Sequence, residues 1–313
     1  MATTNSSKSF AQNEQACEHL FAKGGPYWHL YTSGNQTEIL FTSDPDFKFA
    51  VTALAISLTT CDVTLITDII MDNHIHLIAE GSQSACIGLF EDFKKRLKRY
   101  FGDNGRLVNF QGFSCNILPI TTLDSIRNEI VYTNRNGYVA FSQHTPFSYP
   151  WGSCSLYFNH FSTKQVGIPF NELPYREKRM LCHSRMLELP PSYKVLDGMI
   201  MPVSYSQFQK GQLFFRNAHH YFYLLTKNVE VYGKVAQHLG DTLFLTDEEL
   251  YLVIYQHCVK EYNLKRPSLL PPNAKIEVAK MMHNQYHATN AQLFRILRLD
   301  KKIIETLFPR LHS

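Results

Sequence analysis

The chain has 313 residues, 44% of them hydrophobic and 13% aromatic, which is enough apolar material for more than one folded unit and argues against extended disorder. No apolar run reaches the roughly 20 residues that cross a bilayer, no N-terminal stretch has a signal-peptide pattern, and the seven cysteines have no C-x-x-C spacing. These features argue against a membrane partner and predict a cytoplasmic protein with free thiols. Formal net charge is +4, and the whole excess lies from Ala274 onward, where seven basic residues face three acidic ones. The C-terminal module is therefore a candidate for a polyanion partner.

Residues 1–26 read as a polar arm, with at most a short helix, ending at Gly24-Gly25. "YWHLYT" (27–32) is aromatic and β-branched and predicts a first strand. "DPDFKFAVTALAISLTT" predicts a helix with Asp44 as N-cap and Phe47, Val51, Leu54 and Leu58 on one face. "CDVTLITDIIM" (61–71) is a second strand, and "NHIHLIAEG" follows the turn-like Asp72-Asn73 as a hairpin or a bent strand pair. In 84–102, Cys86, Phe90, Phe93, Leu97 and Tyr100 form an apolar stripe, while Lys94, Lys95, Lys98 and Arg99 make a basic outer face that is either solvated or turned to phosphates. "RLVNFQGFSCNILPI" (106–120) predicts a further strand, and residues 121–137 a helix stopped at Gly137. The order strand, helix, strand, strand, helix, strand, helix is that of a ferredoxin-like α+β sandwich.

On a strand the side-chain period is two, so His74 and His76 project from one face, with Cα atoms about 7 Å apart, and Ile75 points into the core. Two imidazoles are too few for a structural zinc site. They suit an open cation site completed by an oxygen ligand, water and substrate. From the pair alone, that reading and two solvated surface histidines stand level. Tyr132 and Asn136 lie at i and i+4 in the helix from Leu123, one turn apart on one face. A phenol, with a pKa of about 10, attacks a phosphodiester slowly unless a cation polarises the target. His74 and His76 are the plausible holders of such a cation, with the side-chain oxygen of Asn136 as a third ligand.

"MDNHIHLI" resembles the M-P-N-H-x-H-L-L signature of the HUH single-tyrosine transposases. "VYTNRNGYV" resembles their Y-I-x-x-N-P segment, with Tyr132 on the nucleophile position and Asn136 on the Asn four residues later, although Tyr138 is close by. "YPWGS" (149–153) resembles the y-p-W-S-S that closes the catalytic domain in the branch associated with repetitive extragenic palindromes. The three motifs occur in family order over residues 27–153, with Asp72 and Gly137 in place of prolines and Gly152 in place of a serine. The resemblance implies a transposase and nuclease that cleaves and rejoins single-stranded, hairpin-forming DNA. Tyr132 would form a 5′-phosphotyrosine, and His74, His76 and Asn136 would bind Mg²⁺ or Mn²⁺.

Residues 155–245 offer no family pattern and read as an extension of unclear fold. Within 246–313, "DEELYLVIYQHCVKEYN" predicts a helix leading into three more. Their expected stripes are Ile276, Ala279, Met282 and Tyr286, then Ala291, Phe294 and Leu297, then Ile303, Ile304 and Leu307, with Thr289 and Asp300 as caps. This looks like a helix-turn-helix domain, with Arg298, Lys301 and Lys302 at the start of the recognition helix, where such helices meet duplex DNA. The alternative is a small helical bundle with its charges in water. For the whole chain the alternatives are a DNA-binding regulator that keeps the fold without cleavage, and a related replication initiator. The latter often carries a helicase, and no G-x-x-x-x-G-K-[ST] loop occurs here. A homodimer is compatible with all of them.

Overall fold

The structure, a computed structural model, describes residues 14–34, 36–141, 144–184, 188–227, 235–236, 239 and 245–309. Two compact units are present, Met1–Asn228 and Val229–Ser313. Among the described residues no helix is long and apolar enough to cross a membrane. All seven cysteines are free thiols.

The first unit is built on a four-stranded antiparallel sheet of β1 (Tyr27–Tyr31), β2 (Val63–Ile70), β3 (Ile75–Gly81) and β4 (Asn116–Ile120), in the order β2-β3-β1-β4. Residues 14–23 form helix α1. It is tied down where the buried Arg127 donates to both carboxylate oxygens of Glu14, at 2.7 and 3.0 Å, so residues 14–23 of the expected loose arm form an anchored helix.

Helices α2 (Asp44–Leu58) and α3 (Gln83–Asp103) pack together and on the sheet. α2 starts one residue earlier than expected, with Ser43 rather than Asp44 as N-cap and Pro45 in its first turn, where a missing N–H costs nothing. The α3 cap is Ser82, whose hydroxyl accepts from the Ala85 N–H at 3.1 Å. Cys86, Phe90, Phe93, Leu97 and Tyr100 are all buried, as the sequence stripe required. They share a core with Leu30 of β1 and Ile75, Leu77 and Ala79 of β3.

Helix α4 (Leu123–Ala140) contacts β2 and β3. It is capped by the Thr122 hydroxyl, which accepts from the Ser125 N–H at 3.0 Å. It does not stop at Gly137. That glycine is where the ring of Tyr149 lies on the helix, so close that a Cβ would meet it at 2.4 Å. The segment 149–153 runs along the outer edge of β2: Ile70 N–H donates to the Trp151 carbonyl at 2.9 Å, and Ser153 N–H to the Asp68 carbonyl at 3.1 Å. Gly152, at φ +145°, lets this crossing happen, since a Cβ there would meet the Asp68 carbonyl at 2.4 Å. Both departures from the transposase pattern in this region are thus glycines at close approaches. The strand expected over 106–120 is shorter, Asn116–Ile120; the residues before it form a loop that puts Phe110 and Phe113 on α3 and its neighbours.

The extension continues the first unit up to Asn228. Ile168–Pro169, Lys194–Leu196 and Met199–Ile200 make a small second sheet, which joins the α2 core through Phe170, Val195 and Ile200. Helix Phe208–Leu213 contacts β2, and helix Ala218–Lys227 contacts α4.

The second unit holds helices Asp247–Tyr262, Pro272–Tyr286, Asn290–Leu297 and Lys301–Leu307 around their own core. Thr246 and Thr289 form capping boxes with Glu249 and Gln292. Asp300 caps the last helix through the Lys302 N–H, at 2.7 Å. The buried stripe of Asn290–Leu297 is Leu293, Ile296 and Leu297, not the expected Ala291 and Phe294, and Phe294 stands 50% exposed. Of the last stripe only Ile304 is fully buried.

Candidate functional site

Side chains of β1 and β3 alternate between the two faces of the sheet. Leu30, Ile75, Leu77 and Ala79 belong to the α2–α3 core. Their neighbours His29, Tyr31 and His76 turn to the α4 face, as Tyr31 and His76 are cross-strand partners and the His76 ring lies against Tyr132 of α4.

His74 falls in the β2–β3 turn, just before β3 begins, and still reaches His76: their ring centroids are 5.1 Å apart and nearly perpendicular. The His76 and Tyr132 centroids are 5.4 Å apart, edge to face. Residues 74, 76 and 132, which the sequence grouped across almost sixty positions, are therefore one cluster. They are not solvated: His74 is 5% exposed, and His76 and Tyr132 are fully buried. Asn136 is also buried, and its Nδ2 has no hydrogen-bond partner among the described residues. Tyr138 faces elsewhere, its hydroxyl donating to the Leu225 carbonyl at 3.2 Å.

Three neighbours were not singled out as site residues in the sequence, although Asn73 falls on the Asn of the M-P-N-H-x-H-L-L signature. His29 Nε2 meets His76 Nδ1 at 3.0 Å, and His29 Nδ1 meets a carboxylate oxygen of Glu129 at 2.8 Å. Asn73 Oδ1 meets His74 Nδ1 at 2.7 Å, while Asn73 Nδ2 donates to the carbonyls of Gly34 at 2.8 Å and Thr37 at 3.0 Å. Glu129 lies three residues before Tyr132, on the same side of α4, which is the one hint that spacing offers. His29 is visible only through the β1–β3 register.

Among the described residues no group of three or more His, Cys, Asp or Glu side chains is arranged to hold a metal ion. The histidine pair itself fits a shared cation, since two imidazoles bound to one ion through bonds of about 2.1 Å put their ring centroids about 5 Å apart. Further ligands would have to be amide, water or substrate oxygen.

The basic face of α3 lies across the sheet from this cluster. Lys95 and Lys98 are exposed there, but Lys94 is not part of that surface. It is half-buried and donates to the Phe113 carbonyl, and burial, with the Lys98 charge nearby, holds its pKa below the usual lysine range. In the second unit Arg298 is an exposed left-handed residue ending Asn290–Leu297, in the turn rather than in the following helix. Lys301 and Lys302 are exposed in the first turn of the last helix. Arg295 is held by Asp247 at 2.6 and 2.9 Å.

Comparison of the chain with protein-family models, with curated proteins and with solved structures gives no match in any of the three.

Proposed function

We propose that this protein is a metal-dependent nuclease and strand transferase of the HUH single-tyrosine type, acting on single-stranded, hairpin-forming DNA. The observation that carries the reading is the convergence of His74, His76 and Tyr132 on one face of the sheet, with ring separations of 5.1 and 5.4 Å. The strand order β2-β3-β1-β4, with α2 and α3 packed on it, supports a ferredoxin-like catalytic core. The three-residue turn 298–300 between the last two helices supports a helix-turn-helix module for duplex DNA.

In this reading His74 and His76 would hold Mg²⁺ or Mn²⁺, with Asn136 as a further oxygen donor. The ion would polarise the scissile phosphate and offset the charge that develops on it. The Tyr132 oxygen bonds to phosphorus, the bond to the 3′ oxygen breaks, and the products are a 5′-phosphotyrosine and a free 3′-OH. Attack by another 3′-OH reverses the step and joins new ends, with no ATP required. Because Tyr132 is fully buried, DNA reaches it only when the elements packed around it move aside.

That burial favours a second reading, a DNA-binding regulator that keeps the fold without cleavage. Incubation with a labelled single-stranded hairpin from DNA flanking the gene, in Mn²⁺, separates the two. The nuclease gives a covalent adduct on a denaturing gel that Tyr132→Phe abolishes. An adduct that survives Tyr132→Phe moves the nucleophile, and no adduct with any flanking hairpin leaves the regulator.

A further inference from the structure

The hydrogen bonds around the two histidines fix more than their orientation. A neutral imidazole carries one hydrogen, and the nitrogen that lacks it is the one that binds a cation. Asn73 Nδ2 lies between two backbone carbonyls, Gly34 and Thr37, which only accept. The amide orientation is thereby set, and Asn73 Oδ1 is the atom that faces His74 Nδ1. An amide oxygen only accepts, so the hydrogen of His74 sits on Nδ1.

The second chain runs the same way. The Glu129 carboxylate only accepts, so His29 Nδ1 donates to it, at 2.8 Å. With one hydrogen on the His29 ring, its lone pair lies on Nε2, and His76 Nδ1 is then the donor in the 3.0 Å bond between them. His29 and His76 are fully buried, where a mismatched donor or acceptor is expensive, so water has little means of exchanging this pattern.

We propose that Asn73, His29 and Glu129 are positioning residues that hold His74 and His76 in the same tautomer, hydrogen on Nδ1 and lone pair on Nε2, the form that ligates a divalent cation through Nε2. This rests on the metal-site reading above and extends it to three residues outside the ligand set. Outer partners of this kind orient a ligating imidazole and raise its basicity, and their loss typically costs about 10- to 100-fold in metal affinity. Two independent chains ending in the same tautomer on adjacent rings would be an unnecessary arrangement for histidines that only fill space.

The test is ¹⁵N NMR of the imidazoles in the metal-free protein, with Mn²⁺ binding measured by EPR. The expected result is a hydrogen on Nδ1 of both His74 and His76. In His29→Phe, which keeps a ring but no nitrogen, the His76 hydrogen should redistribute and Mn²⁺ affinity should fall about 10- to 100-fold. His29→Gln, whose amide oxygen can accept from His76 Nδ1, should recover most of that loss, which a purely space-filling role does not predict. Should His29→Phe fail to fold by near-UV circular dichroism, Glu129→Leu removes the same anchor at a more open position, its side chain being 16% exposed. A hydrogen on Nε2 of either histidine in the wild type, or unchanged Mn²⁺ affinity in a folded variant, overturns the proposal. If the wild type has both tautomers but neither takes up Mn²⁺ nor forms an adduct, the nuclease reading fails and the tautomer assignment stands.

Discussion

The two faces of the central sheet come from the same strands and are built on opposite principles. On the α2–α3 face, Leu30, Ile75, Leu77 and Ala79 meet Leu54, Phe90 and Phe93 in a dry apolar core. On the α4 face the alternate positions are His29, Tyr31 and His76, backed by Glu129 and Tyr132. Both faces are buried, so the difference is not between core and surface. An apolar face tolerates small shifts at modest cost, because dispersion and burial are not directional. A buried polar face has to satisfy every donor and acceptor in turn, which constrains tautomers and amide orientations as well as positions.

The contrast is easiest to break at Leu77. Leu77→Ala on the apolar face should cost about 2 to 5 kcal/mol in urea unfolding, from lost transfer energy plus a residual cavity. A loss under about 1 kcal/mol would mean that this face is not the single core described here.

A comparable effect is expected at Asp68 of β2, which is fully buried and accepts from Ser153 N–H at 3.2 Å and from the Tyr205 hydroxyl at 3.2 Å. Burial outweighs those hydrogen bonds and pushes its pKa up to about 6. A raised carboxyl pKa means that the folded state binds the proton more tightly than the unfolded one. Its contribution is therefore present below about pH 4 and lost as pH rises through about 6. Asp68→Asn should match the wild type near pH 4 and exceed it at pH 7, by roughly 3 kcal/mol at most. Denaturation midpoints that stay parallel between those pH values would put the burial argument in error.

Gly152 tests whether the edge of β2 accepts the residue of the transposase pattern. Gly152→Ser requires a side chain at φ +145° and a backbone contact of 2.4 Å, so a loss of at least about 1 kcal/mol is expected. A neutral result would show that segment 149–153 can lift from β2.

The smallest effect belongs to the outer face of α3. The double variant Lys95→Ala, Lys98→Ala removes two exposed charges and should change stability by less than about 0.5 kcal/mol. It should also leave adduct yield with the hairpin unaltered. A clear drop in yield would bring the DNA round to the apolar side of the sheet and undo the division of labour between the faces.

Much of this was legible along the chain. Strands β1 to β4, the helix over Leu123 to Gly137 and the caps Thr289 and Asp300 follow from periodicity and capping chemistry, which are local. Less legible were features set by what comes to lie alongside. The expected end of α4 at Gly137 ignored Tyr149, which occupies the space a side chain would need. Lys94 looked like a member of an exposed row until the 106–115 loop offered it a carbonyl. Ala291 and Phe294 fitted a helical stripe as well as Leu293 and Ile296 did, and only the partner helices chose between them.

Sequence by itself determined which residues of each strand share a face, because the side-chain period of a strand is a property of the backbone. It therefore set Ile75 in the core and placed His76 opposite. Tertiary structure alone decided that the opposite face is also buried, that Tyr132 rather than Tyr138 lies on His76, and that His29 and Glu129 complete the cluster. The reason is physical. Hydrogen-bond partners 47 and 100 residues apart meet only through strand register and helix docking, and neither is written in the residues that they bring together.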